Sequence, residues 1–291
     1  MSRLFAFIFL SPIFLSKPPL GMPVAIEADL RRPSRKELGA IAYDVMQVVF
    51  AVHNELGRFL DEQIYQQEIA HRLPVTRTEL PIRVKFDDFT KMYFLDLLVA
   101  NAAAFELKAV EHLAGRHPAQ LINYLLLTEL PHGKLVNLRP DTVEHEFANS
   151  TLRRSDRIGF EVSADGWDSS LTGVRDVRRW LVAALRDWGT GLDLHLYEEA
   201  CSHFVGRAEN ILGDTEILVD GRRLGLQMVR FAAPGVALKI TAITPEAWPQ
   251  FEDDAHRFLT HSSLDSIAWI NITLRHVRFT TIRRTSDRKM K

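Results

Sequence analysis

The feature that most constrains this chain is a pair of apolar segments with acids and a lysine at their centres. The first is Tyr93-Phe-Leu-Asp96-Leu-Leu-Val99, and the second, after a short gap, is Phe105-Glu106-Leu107-Lys108-Ala-Val110. Apolar residues flank both acids, so each segment reads as a buried strand and not as a loop. A carboxylate or an ammonium inside an apolar strand is costly unless it pairs or coordinates a metal. Side chains two residues apart on a strand share a face, so Glu106 and Lys108 project together. Two carboxylates and a lysine converging on one sheet suit metal-assisted hydrolysis of a phosphodiester.

The 291 residues allow two modest domains or one large one. A formal net charge of -1 gives no global basic signature for nucleic acid, though a neutral protein can still carry a basic groove. The single cysteine, Cys201, excludes an intramolecular disulfide and fits a reducing compartment, so a cytoplasmic location is expected. Arg3 precedes an apolar stretch from Leu4 to Leu15, broken by Ser11 and Pro12. It resembles a signal-peptide core, lacks a clear small-residue cleavage site and is too short for a membrane span. With Met22 just ahead of the first good helix, residues 1–33 read as a leader, disordered or the product of an over-extended start.

Ser34-Arg-Lys-Glu37 has the form of a capping box. Leu38, Ile41, Ala42, Val45, Val48, Val49 and Val52 then follow helical spacing, with Gly57 as the stop. A second helix is expected over 60–73, then strands over 80–86, 92–99 and 105–110, a helix over 118–128 and strands over 134–138 and 142–147. Residues 34–150 thus read as a first domain. Residues 151–172, rich in Arg, Asp, Ser and Gly, read as a linker. The second domain, 173–284, repeats the order: helices over 174–188 and 192–204, strands around the Asp220-Gly221 turn, strands over 225–232 and 236–243, a helix over 246–260, and strands over 266–273 and 277–283. Residues 285–291 form a basic tail, of a kind that can touch phosphates but is more often a solvated end.

Local echoes support an internal duplication. Gly191-Leu-Asp193-Leu-His-Leu-Tyr197 echoes Phe59-Leu-Asp61-Glu-Gln-Ile-Tyr65. Leu238-Lys-Ile-Thr241-Ala-Ile243 echoes Phe105-Glu-Leu-Lys108-Ala-Val110, and Trp269-Ile-Asn271-Ile echoes Leu135-Val-Asn137-Leu. On this alignment Glu62 meets Leu194, Asp96 meets Val229, Glu106 meets Lys239 and Lys108 meets Thr241. The second half therefore reads as a degenerate copy without the acids.

Four stretches of the first half, taken in order, carry a resemblance. They are Leu56-Gly-Arg-Phe-Leu-Asp-Glu62-Gln-Ile-Tyr65, Phe94-Leu-Asp96-Leu-Leu-Val99, Phe105-Glu106-Leu-Lys108-Ala-Val and Ala119-Gln120-Leu-Ile-Asn-Tyr124-Leu. Together they resemble the GxxExxY family, a branch of the PD-(D/E)XK nuclease superfamily, over about residues 34–150. One departure stands out: the glycine of the naming motif falls on Phe59, with Gly57 two residues earlier.

The resemblance implies an α/β fold with a central mixed sheet flanked by helices. It also implies a Mg²⁺-dependent nuclease, with Mn²⁺ as the alternative ion and nucleic acid, DNA first, as the partner. Asp96 and Glu106 would bind the metal through hard oxygen ligands. Lys108 would orient the water or stabilise developing charge. Glu62 would complete the acidic cluster, Gln120 would bond near the water or the phosphate, and Tyr124, one turn on, would contact substrate. The competing reading is a non-catalytic nucleic-acid-binding or protein-interaction scaffold that keeps the fold, with a protein partner or a homo-oligomer left open. From the residues alone, Asp96 and Glu106 can also be edge-strand acids with Lys108 as their exposed partner.

Overall fold

The Ser34 hydroxyl accepts the Glu37 amide at 3.2 Å and opens α1 (Arg35–Leu56). Gly57, at φ 72°, closes the helix with its amide on the His53 carbonyl. This is a computed structural model, and it describes residues 23–206 and 211–285. The leader through residue 22 and the tail from residue 286 lie outside the described residues. Residues 24–26 fall within the span expected as a leader. They form β1 (Val24–Ile26), which pairs antiparallel with β2 (Thr76–Phe86).

The helix α2 (Glu62–Arg72) precedes β2. The chain then runs through β3 (Phe89–Val99), β4 (Ala103–Lys108), α3 (Arg116–Thr128), β5 (His132–Asn137) and β6 (Glu144–Asn149). The sheet order is β1-β2-β3-β4-β5-β6. Pairing is antiparallel except between β4 and β5, which are parallel because α3 carries the chain back across the sheet.

Residues 151–172, expected as a linker, instead form α4 (Arg154–Arg157) and β7 (Glu161–Gly166), and β7 is the edge strand of the second sheet. Then come α5 (Thr172–Trp188), α6 (Leu194–Gly206), β8 (Leu212–Val219), β9 (Arg222–Ala233), β10 (Val236–Thr241), α7 (Trp248–His261), β11 (Ser266–Ile272) and β12 (His276–Arg283). The order of the second sheet is β7-β12-β11-β10-β9-β8. From β8 to β12 its ladders run antiparallel, antiparallel, parallel, antiparallel, the sequence seen from β2 to β6. The extra strand differs. β1 sits beside β2, whereas β7 sits at the opposite edge, parallel to β12.

Apolar packing stacks these elements in five layers. Leu38, Val45, Val49 and Val52 of α1, with Tyr65 and Ile69 of α2, cover one face of the first sheet. Its other face shares one continuous core with α3, α5, α6 and the second sheet, including Ile82, Leu125, Leu181, Trp188, Tyr197 and Ile270. Helix α7 covers the far face of the second sheet through Ala255 and Leu259, against Trp269. Polar contacts bind the halves as well. Trp188 Nε1 donates to the Lys85 carbonyl at 2.7 Å, the buried Arg157 donates to the Leu126 carbonyl at 3.1 Å, and Lys91 pairs with Glu199 at 2.8 Å. Among the described residues no helix is long and apolar enough to cross a membrane.

Candidate active site

The ladder between β3 and β4 stops where Leu97 faces Phe105. Beyond it the Leu107 amide has no strand partner on that side, and the Asp96 Oδ2 carboxylate oxygen accepts it at 2.7 Å. The ladder between β2 and β3 is also interrupted at Asp96. Pairs form at Thr78–Leu97 and Leu80–Leu95, and between them Glu79 takes φ 48°. A non-glycine residue in this left-handed region is uncommon and marks a locally forced backbone. The freed Asp96 carbonyl accepts from Gln66 Nε2 at 3.0 Å, and the same amide donates to Glu79 Oε1 at 2.7 Å. Asp96 is thus fixed through its carboxylate and through its backbone.

Glu106 and Lys108 leave β4 on one face, as the strand alternation requires. Lys108 Nζ lies 2.6 Å from Glu106 Oε1, 3.4 Å from Glu62 Oε1 and 3.7 Å from Asp96 Oδ2. It also donates to the Leu107 carbonyl at 2.6 Å. Glu62, at the start of α2, reaches the cluster from the helix, with its side chain about two-fifths exposed at 39%. The structure therefore gathers Glu62, Asp96, Glu106 and Lys108 around one ammonium.

The electrostatics follow from burial and from excess negative charge. Glu106 is fully buried, and burial first, with the neighbouring Asp96 adding to it, pushes its carboxyl up to about 8. Burial pushes Asp96 up to about 6, against the lowering influence of Lys108 and the Leu107 amide. Burial pulls Lys108 down, but Glu106 and Asp96 outweigh it, and the ammonium stays above its ordinary value. Three carboxylates face one ammonium, which leaves an uncompensated charge of about minus two when all are ionised. Glu106 Oε2 is buried with no hydrogen-bond partner. A hard divalent cation suits such a surplus and such an orphaned oxygen. Among the described residues no three His, Cys, Asp or Glu groups stand in a ready ligand cluster. Here the Lys108 ammonium stands among the acids.

The remaining expected residues make no hydrogen bond to these acids, although Glu106, Asp96 and Lys108 act on the Tyr124 hydroxyl through space. Gln120 bonds to none of these acids; its Nε2 donates to Tyr124 Oη at 3.1 Å. Tyr124 is 4% exposed, sits in the core between the sheets and packs edge-on against Tyr93. Burial pushes its hydroxyl up to about 12. Tyr124 is thus a buried support for Gln120 and presents no open surface to a substrate. Gln66 and Glu79 are additional to the expected set. Gln66 is one turn after Glu62 on α2, a spacing the sequence displays. Glu79 has no such signal, because only the pairing of β2 with β3 brings it near.

The corresponding position in the second sheet has different chemistry. Leu238 faces Arg230 as Phe105 faces Leu97, so Lys239 and Thr241 stand where Glu106 and Lys108 stand. Lys239 is exposed, and the Thr241 hydroxyl receives Trp269 Nε1 and donates to Asn271 Oδ1, each at 2.8 Å. No acid of the first site has a counterpart there.

Residues 39–149 match the family model of the PD-(D/E)XK nuclease superfamily. No curated protein and no solved structure matches the chain. The matched span begins within α1, ends at the last residue of β6 and contains the whole acid–lysine cluster. Residues 39–149, in the N-terminal half of the chain, are thus similar to the PD-(D/E)XK nuclease superfamily.

Proposed function

We propose that this chain is a divalent-metal-dependent nuclease that hydrolyses phosphodiester bonds in DNA, with Mg²⁺ as its ion and Mn²⁺ as a substitute. The observation that carries this reading is the buried Lys108 ammonium, within 3.7 Å of Glu62, Asp96 and Glu106, beside the unpartnered Glu106 Oε2. Asp96 and Glu106 would hold the ion, and the Leu107 carbonyl is a further hard oxygen on the same side. When bound, such an ion polarises a phosphoryl oxygen and lowers the pKa of a water.

The protein groups do the rest. Gln66 and the Leu107 amide hold Asp96 in place. Lys108 places a positive charge where the attacking water and the phosphoryl oxygens gain negative charge. Glu62 keeps that ammonium at the cluster. Water adds to phosphorus and releases a proton to solvent, one P–O ester bond breaks, and the departing oxygen takes up a proton from solvent. The motif stretches favour the GxxExxY branch of the superfamily. In this reading the second half is a duplicated copy that has lost the acids.

The test is cleavage of plasmid and linear DNA with Mg²⁺ or Mn²⁺ by the wild-type chain and by Asp96→Ala and Glu106→Ala. Metal-dependent cleavage that both variants abolish supports the reading. Variants that cut at the wild-type rate, or a wild-type chain that binds DNA without cutting it, would overturn it.

A further inference from the structure

Helix α5 buries Val174, Val177, Leu181, Ala184, Leu185 and Trp188 on one side. Its opposite side carries Arg175, Arg178, Arg179 and Arg186. Steps of three, four and eleven residues return to one helical face, so these four guanidiniums form a single row about 16 Å long. They line a cavity of about 360 Å³ together with Val162, Val182 and Ser169, and every charged residue lining it is an arginine. Among the described residues, Asp176 lies 3.6 Å from Arg179 and 4.0 Å from Arg175. Arg178 lies over the Phe279 ring at 6.0 Å, and Arg186 is exposed.

Like charges three and four residues apart oppose helix formation. Guanidiniums present paired N–H donors that match phosphate oxygens. A second cavity, of about 1150 Å³ and sharing Ser169, does not compete. There Arg283 is paired with Asp168, Arg278 with Glu252, and Arg284 is spent on the Ser262 and Leu264 carbonyls.

We propose that the arginine row of α5 binds the phosphate backbone of nucleic acid, so that the half of the chain without the acids holds the substrate. The choice of nucleic acid over other polyanions rests on the nuclease reading. A row of this length matches about four to five phosphates of one strand. Contacts of this kind grip without reading sequence.

The probe is a fluorescein-labelled 20-base-pair DNA duplex, read by anisotropy with chelator present so that no cleavage occurs. The fourfold variant R175Q/R178Q/R179Q/R186Q keeps helix-forming side chains of similar length. It is expected to bind at least about tenfold more weakly than wild type, and the magnitude of its log–log salt slope falls by about 3 to 4. If that variant does not fold by circular dichroism, R175Q/R179Q and R178Q/R186Q serve instead, each lowering the slope by about 2. Wild-type affinity and slope in the variants would overturn the proposal, as would binding of anionic phospholipid vesicles with none of the duplex. Arginine-dependent binding without metal-dependent cleavage would leave this proposal standing and remove the nuclease reading. Cleavage alongside arginine-independent binding would do the reverse.

Discussion

Tyr65 and Tyr197 make the same two hydrogen bonds in the two halves of the chain. Tyr65 Oη donates to the Gly57 carbonyl at 2.6 Å and accepts the Leu60 amide at 3.3 Å. Tyr197 Oη donates to the Gly189 carbonyl at 2.8 Å and accepts the Leu192 amide at 3.1 Å. In each half the ring clamps the turn between two helices, from eight and five residues further along the chain. Asn137 and Asn271 form a second such pair, exchanging side-chain bonds with the backbones of Val110 and Ile243.

This correspondence predicts matched energetic effects. Tyr65→Phe and Tyr197→Phe each remove a hydroxyl that bridges an amide and a carbonyl, part-buried at Tyr65 and buried at Tyr197, so each is expected to lower stability by about 0.5–2 kcal/mol. Urea unfolding of the two variants checks this. A loss confined to one of them would show that the two clamps are not equivalent.

The shared core predicts that the halves do not separate. A fragment of residues 23–150 exposes the face of the first sheet that packs on α5 and α6, including Ile82, Val84, Phe89 and Leu125. Such a patch favours aggregation. The fragment is expected to be aggregated or without a cooperative melt, by size exclusion and circular dichroism. A monomeric fragment with a sharp transition contradicts the shared core.

Lys108 neutralises part of three carboxylates but cannot itself ligate a cation while protonated. Lys108→Ala is expected to slow cleavage by about 100-fold or more while changing metal affinity little. It also lowers the melting temperature of the metal-free chain, and added Mg²⁺ restores it, because binding to the native state stabilises it. Equal losses of metal affinity and rate would show that Lys108 serves only to hold the acids together.

Cys201 is predicted to be inert in the folded chain. Burial pushes its thiol up to about 12, with Arg230 opposing and Glu198 adding, so almost no thiolate forms at pH 8. Ellman's reagent is expected to find no thiol in native protein and one per chain in guanidinium chloride. The sign of the linkage follows. A folded value above the ordinary 9.0 favours the native state at lower pH, and this contribution is lost as pH rises from about 9 towards 12. Rapid labelling of native protein would contradict the burial.

The local signals in the sequence were the ones the fold obeys. The Ser34 cap, the helical spacing of Leu38 to Val52 and the Asp220-Gly221 turn each act within a few residues, and each is present. β1 and β7 were not legible. Val24–Ile26 is three residues long, and Glu161–Gly166 is largely polar, so neither shows the alternation of a half-buried strand. Each is held by a ladder to a strand more than fifty residues away. The site divides in the same way. Asp96, Glu106 and Lys108 stood out because charge inside an apolar strand needs a reason. Gln66 and Glu79 did not, since their role comes from the break in pairing at Asp96. Tyr124 has the right helical spacing, but it is buried in the core, edge-on against Tyr93.

The central claim is that the acids around Lys108 form a metal site. Calorimetric titration of the metal-free chain with Mn²⁺ tests it most directly, alongside Asp96→Ala and Glu106→Ala. The account predicts saturable binding by the wild-type chain that either substitution abolishes, with the circular dichroism of both variants unchanged. No binding by the wild-type chain, or undiminished binding by the variants, would contradict it.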